Sequence, residues 1–85
     1  MKILDSALKH GIQEQDIAYV HEYAINSLVL HTNPEKIMLF GFDTIGRALE
    51  VGYIVNNQGE DIIIHAMKIR PLYRKYLYGQ KGTKR

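Results

Sequence analysis

The stretch Arg47-Ala-Leu-Glu-Val-Gly-Tyr-Ile-Val55 alternates in character from one residue to the next. A period of two is typical of a β-strand, in which successive side chains point to opposite faces of a sheet. One face of this predicted strand carries Leu49, Val51, Tyr53 and Val55, and the other carries Ala48, Glu50, Gly52 and Ile54. The stretch therefore predicts a β-strand. The segments before and after it in the sequence indicate which strands and helices pack around this strand.

Three other segments favour strands because β-branched and aromatic residues are frequent in them. They are Ser27–His31, Lys36–Phe42 and Asp61–Met67. Lys36–Phe42 is apolar on both faces, which predicts a central strand that is covered on both sides. Turn-like residues separate the four strands, so we expect an antiparallel meander.

Helices are predicted on both sides of the meander. Asp5–Gly11 indicates a helix of little more than one turn, and an apolar stripe that begins at Ile17 predicts a second helix at about residues 14–24. Pro71 suits the first turn of a short amphipathic helix that ends at Gly79. The predicted class is α+β, with two N-terminal helices, a four-stranded antiparallel sheet and a short basic C-terminal helix.

The length and composition of the chain narrow its possible functions. Its 85 residues predict a single domain at 1–79, and residues 80–85 are expected to be a disordered basic tail because they have no apolar area to bury. The chain has no cysteine, which excludes disulfides, thiolate metal sites and cysteine nucleophiles. Asp5 interrupts the position where a signal peptide would be apolar, and no window is long enough to span a membrane. We therefore expect a cytoplasmic protein with no membrane association.

Charge is distributed unevenly along the chain. Residues 1–64 contain four Lys or Arg and all nine acids, whereas residues 65–85 contain seven Lys or Arg and no acid. A positively charged block at one terminus favours a polyanion or an acidic protein surface as the partner. A basic tail that is simply solvated would give the same distribution of charge.

A dense polar cluster spans the end of the last predicted strand and the start of the last predicted helix. Its members are His65, Lys68, Arg70, Tyr73, Arg74 and Tyr76. Without a carboxylate, such a cluster suits a phosphodiester: cations stabilise the charge on a pentacoordinate phosphate, and histidine or tyrosine moves protons. RNA provides its own nucleophile in the 2′-hydroxyl, so this chemistry needs neither a metal nor a cofactor. The four histidines also lack the spacing of a metal site.

Each of these residues also has a purely structural interpretation. His65 alternates with Ile63 and Met67, so it could be a core histidine, and the tyrosines could be core packing. Lys68 and Arg70 could be solvated loop charges. Arg47 is expected near the His65 end of a hairpin as a phosphate ligand or as half of a surface ion pair. Glu50 could be a general base, but we favour it as the partner of Arg47.

Three stretches together resemble the BrnT branch of the RelE/ParE toxin superfamily. They are Lys9-His-Gly-Ile12, Ile45-Gly-Arg-Ala-Leu-Glu-Val51, and Ile62-Ile-Ile-His-Ala-Met-Lys-Ile-Arg70 followed by Tyr73 and Tyr76. The resemblance covers about residues 3–77 and implies two N-terminal helices, a curved antiparallel sheet and a closing basic helix. It also implies the toxin of a type II toxin-antitoxin system, with a cognate antitoxin as partner, that cleaves mRNA, free or on the ribosome, and so inhibits translation.

The resemblance and the residues together assign roles. The predicted catalytic residues are Arg47, His65, Lys68, Arg70 and Tyr73, and the predicted substrate-binding residues are Lys9, Arg74, Lys75 and Tyr76. The family's strand end typically reads Ser-Ala-Arg, whereas this chain has His65-Ala-Met67, and the family's acid-arginine pair in the next helix lacks its acid here. The alternative function is therefore a binding module of the same fold, which holds a nucleic acid or an acidic partner without cleaving it.

Overall fold

The computed structural model describes residues 1–79 as a five-stranded sheet with one α-helix and two 3₁₀-helices. The elements in chain order are β1 (Lys2–Ile3), a first 3₁₀-helix (Asp5–Ala7), α1 (Glu14–Tyr23), β2 (Asn26–Thr32), β3 (Glu35–Phe42), β4 (Ala48–Val55), β5 (Asp61–Lys68) and a C-terminal 3₁₀-helix (Pro71–Leu77). None of these helices has the length and apolar character required to cross a membrane. The tail predicted at residues 80–85 lies outside the described residues.

The sheet has the order β1-β5-β4-β3-β2, and β2 to β5 form the predicted antiparallel meander. The prediction of four purely antiparallel strands is wrong, because β1 adds a fifth strand parallel to β5. The backbone N–H of Leu4 continues this pairing by donating to the carbonyl of Ile63 at 3.0 Å. A strand of two residues is too short to show a period of two, so the sequence pattern could not reveal it.

The N-terminal helices also differ from the prediction. The helix at 14–24 is confirmed as α1, but the segment predicted as the first helix contains only the three residues Asp5–Ala7 in a 3₁₀ turn. Gly11 ends this segment with a φ of 79°, a conformation that glycine adopts without steric cost. The fold is therefore α+β with one full N-terminal helix.

The main hydrophobic core lies between α1 and one face of the sheet, which we call the α1 face. The alternation predicted for β4 is confirmed, since Leu49, Val51 and Tyr53 all point into this core. It also includes Ala7, Ile12, Ile17, Val20, Ile37, Leu39, Ile63 and Ala66. The α1 face thus supplies most of the buried apolar surface that holds the fold together.

The opposite face of the sheet is only partly covered. The C-terminal 3₁₀-helix packs over Met38 and Phe40 of β3 through Leu77 and its two tyrosines. Phe40 is fully buried, with its ring centroid 5.2 Å from that of Tyr73 and 5.0 Å from that of Tyr76. As predicted, β3 is covered on both sides. The part of this face over β4 and β5 is left more open.

A β-bulge in β5 determines which face His65 occupies. Tyr53 of β4 pairs with Ile63, but the next residue of β4, Gly52, pairs with His65, so Ile64 is the extra residue. Because a bulge shifts the alternation by one residue, Ile63 points to the α1 face while His65 lies beside Gly52 on the opposite face. His65 is therefore not a core histidine of the α1 face.

Candidate functional site

A buried carboxylate lies on the opposite face of the sheet. It belongs to Glu50, the third residue of β4, whose side chain is fully buried close to the end of β5. The backbone N–H of Arg70 donates to its Oε1 at 2.8 Å, and the guanidinium Nη2 donates to its Oε2 at 2.7 Å. The Nε of Arg70 lies 3.1 Å from both oxygens. Arg70 thus holds Glu50 through its backbone and its side chain.

His65 completes this group of three residues. Its Nε2 lies 2.8 Å from Oε2 of Glu50, and its side chain is 22% exposed. Burial acts to raise the pKa of Glu50, but the hydrogen bonds from Arg70 and His65 together lower it below its ordinary value of 4.5. Glu50 is therefore ionised at neutral pH and accepts a hydrogen from Nε2 of His65. In the neutral ring this hydrogen bond selects the Nε2–H tautomer, in which Nδ1 is the nitrogen that can accept a proton.

A depression of about 320 Å³ opens beside these residues. It is lined by Lys36, Met38, Gly52, Ile64, His65 and Arg70. Gly52 keeps part of this depression open because it has no side chain. A Cβ atom at this position would lie 3.3 Å from Cβ of His65 and 3.6 Å from Sδ of Met38. The volume is at the lower end of the range for small-molecule sites, which suits one nucleotide or a similar small group.

Aromatic rings border the site on the side of the C-terminal 3₁₀-helix. The guanidinium of Arg70, whose side chain is 42% exposed, lies 5.3 Å from the ring centroid of Tyr73. The Nζ of Lys75 lies 5.5 Å from the ring centroid of Tyr76, and Arg74 donates to the hydroxyl of Tyr78 at 3.2 Å. The bond to Glu50 raises the pKa of Arg70 above its ordinary value, so Arg70 stays charged.

The structure brings together three of the predicted catalytic residues, His65, Arg70 and Tyr73, but it places the other two elsewhere. Lys68 pairs with Leu49, so its side chain lies on the α1 face. The guanidinium of Arg47 also turns to this face and bonds to Asp43 and to Asp16 of α1.

The predicted pairing of Glu50 with Arg47 is therefore wrong, and so is the prediction of a cluster with no carboxylate. Glu50 pairs with Arg70 and His65, while Arg47 takes Asp43 as its main partner. Burial acts to raise the pKa of Asp43, but the bonds from Arg47 and from the backbone of Ile45 lower it. Glu50 is distant in sequence from its two partners, and Asp43 and Arg47 lie in the loop between β3 and β4. In neither case does the spacing of residues along the chain predict which side chains pair.

The remaining predicted residues lie around the site rather than in it. Arg74, Lys75 and Tyr76 are on the C-terminal 3₁₀-helix, and Lys9 is exposed just after the first 3₁₀-helix. Sequence reasoning missed Lys36, which faces the depression from β3. Its position at the start of a strand with apolar residues on both faces gave no functional signal.

No three acidic or histidine side chains within residues 1–79 are arranged so that they could hold a metal ion. The groups available for chemistry at the depression are thus an imidazole held by a carboxylate, a guanidinium and an ammonium.

We expect the free energy of unfolding to fall as the pH drops below about 4.5, the ordinary pKa of Glu50. Because the pKa of Glu50 is lower in the folded than in the unfolded chain, its contribution is fully present above that value and is lost as the pH approaches the folded pKa. Urea unfolding between about pH 7 and pH 3 measures this dependence. Glu50→Gln, which cannot titrate, should show a shallower decline, and equal slopes for the two proteins would contradict the expectation.

Comparison of the chain with protein-family models, with curated proteins and with solved structures found no match in any of the three.

Proposed function

We propose that this protein is a metal-independent ribonuclease and acts as the toxin of a type II toxin-antitoxin system. One observation carries the proposal: an ionised, buried Glu50 holds both His65 and Arg70 at the edge of a depression of nucleotide size. A carboxylate that fixes an imidazole in one tautomer is a common arrangement for general base catalysis.

In the proposed reaction, His65 acts on the 2′-hydroxyl of RNA. Nδ1 of His65 takes the 2′ proton while the 2′ oxygen forms a bond to phosphorus, and the bond from phosphorus to the 5′ oxygen breaks. The leaving 5′ oxygen takes up a proton. The products are a 2′,3′-cyclic phosphate and a 5′-hydroxyl end, and no metal or covalent enzyme intermediate is required.

Arg70 and Lys36 would stabilise the phosphate as its charge increases. Glu50 neutralises much of the charge of Arg70, so Lys36 adds the cation that makes the depression attractive to an anion. Tyr73 and Tyr76 could stack bases of a single strand, although both rings already contact Phe40.

The toxin role rests on the resemblance to the BrnT branch and on the basic segment at residues 65–85. A cognate antitoxin would cover this basic surface, and the target would be mRNA, free or on the ribosome. Cleavage of mRNA would inhibit translation and arrest growth.

The first experiment compares cleavage of single-stranded RNA, in the presence of EDTA, by the wild type, His65→Ala and His21→Ala. We expect His65→Ala to lose about 10²- to 10⁴-fold in rate, the usual contribution of a general base, with a much smaller loss of RNA affinity. His21→Ala is the matched control, because His21 is also a half-buried histidine paired with a carboxylate, Asp61, at 2.7 Å, but on the α1 face. It should cleave like the wild type.

The alternative function is a module that binds nucleic acid without cleaving it. Neutralisation of Arg70 by Glu50 is the observation that favours it, since an arginine already paired contributes less to transition-state stabilisation. RNA binding that weakens steeply with salt, without any cleavage by the wild type, would select this alternative over the ribonuclease.

A further inference from the structure

A second histidine, His10, lies beside His65, and the reaction proposed above does not use it. The ring centroids of His10 and His65 are 5.9 Å apart, with their planes at 75° in an edge-to-face arrangement. His10 is exposed and follows the first 3₁₀-helix, which is anchored to β5 by a 2.9 Å hydrogen bond from Ser6 Oγ to the carbonyl of Ile64. No hydrogen bond or ion pair among the described residues engages the His10 side chain.

We propose that His10 and His65 together form a phosphate-binding site, in which His10 is the second proton-transfer group. The catalytic part of this proposal rests on the ribonuclease function proposed above. The binding part does not, since it concerns any phosphate dianion or diester that reaches the two imidazoles.

The charges around His65 favour an anion. The charged and titratable groups that face His65 are Glu50 and Arg70, with Lys36 on the other side of the depression. Glu50 and Arg70 compensate each other, so Lys36 and any protonated imidazole leave the site positive. Because the Nε2–H of His65 is taken by Glu50, His65 donates to a phosphate oxygen through Nδ1 only when its ring is protonated. An imidazole N–H of His10 can donate in either state, and such bonds are stronger when the ring is charged.

The geometry of the reaction requires a second group. In phosphoryl transfer, the attacking and leaving oxygens lie roughly in line on opposite sides of phosphorus, so one imidazole cannot reach both. The two rings are in edge-to-face contact at 5.9 Å, so the exposed ring of His10 has to turn away from His65 to admit the phosphate between them. His65, held by Glu50, takes the proton of the 2′-hydroxyl. Protonated His10 gives its proton to the 5′ oxygen as the phosphorus–oxygen bond breaks, and both rings return to their starting states by exchange with water.

NMR of the histidine rings tests the binding part with inorganic phosphate as the probe. We expect the ring signals of both His10 and His65 to shift on titration, and those of His21, on the α1 face, to stay in place. His10→Ala should weaken phosphate binding several-fold, as measured on the His65 signals. A titration that shifts His65 alone, or neither ring, overturns the proposal.

The catalytic part is tested with two substrates. His10→Ala should lose about 10²-fold in the cleavage of RNA. It should lose no more than the several-fold expected for phosphate binding with a nucleoside 3′-(4-nitrophenyl phosphate), because the nitrophenolate leaves without being protonated. His65→Ala should be slow with both substrates. Equal loss by His10→Ala on both substrates would make His10 a structural residue and overturn its role.

The two proposals fail in different ways. If the wild type cleaves RNA and His10→Ala cleaves it equally well, the ribonuclease stands and the role of His10 is wrong. If phosphate shifts both rings but RNA is not cleaved, the phosphate site stands and the ribonuclease is wrong.

Discussion

Replacing Glu50 with alanine is expected to lower the free energy of unfolding by about 3 kcal/mol. This is the lower end of the cost of removing one partner from a buried ion pair, chosen because the Arg70 side chain is 42% exposed and can regain water. The backbone N–H of Arg70 and Nε2 of His65 would also lose their acceptor. A chain of this length has a total stability of roughly 4–13 kcal/mol, so the loss would be a large fraction of it.

Urea unfolding followed by far-UV circular dichroism measures this change. Glu22→Ala is the control, since Glu22 is an exposed acid on α1 and its replacement should change stability by less than about 0.5 kcal/mol. Glu50→Gln should fall between the two, because it keeps the shape and one acceptor but loses the charge. If Glu50→Ala were as stable as Glu22→Ala, the bonds around Glu50 would contribute nothing to the fold.

Replacing Phe40 with alanine is expected to cost about 3–5 kcal/mol, the range for removal of a large buried aromatic side chain. Phe40 is fully buried and contacts both Tyr73 and Tyr76, so its loss would also loosen the C-terminal 3₁₀-helix from the sheet. Arg70 lies directly before that helix, so the proposed RNA cleavage should fall as well.

Phe42 provides the control for this substitution. It lies on the same strand and the same face as Phe40, but it is 38% exposed and lies outside the buried cluster. Phe42→Ala should give a clearly smaller loss of stability. Because the chain has no tryptophan, its fluorescence comes from its six tyrosines, of which Tyr73 and Tyr76 contact the Phe40 ring. Unchanged tyrosine emission in Phe40→Ala would contradict the role assigned to this ring.

The alternation of β4 and the two-sided burial of β3 could be predicted because each depends on a run of residues within one strand. Leu49 and Val51 turn to the core while Glu50 turns away from it, as the pattern indicates. The position of His65 could not be predicted in this way. Its alternation with Ile63 indicated a shared face, and only the pairing with β4 reveals the extra residue between them.

The candidate site was predicted in part for the same reason. His65, Arg70 and Tyr73 lie close together in sequence, so their proximity in space could be expected. The partner of these residues, Glu50, lies 15 and 20 positions before His65 and Arg70. Whether an acid pairs with a nearby arginine or a distant one is decided by tertiary packing, which the sequence pattern does not encode.

The extra residue in β5 has a consequence for how chains of this kind should be aligned. In β5, Ile63 lies opposite Tyr53 and His65 lies opposite Gly52, with Ile64 as the extra residue between them. If Ile64 were absent, Ile63 and His65 would be consecutive residues of a regular strand, and each side chain would stay on the face it has now. A chain one residue shorter at this point could therefore have the same histidine beside the same glutamate. An alignment that forbids a gap inside β5 would place that histidine one position out of step with His65.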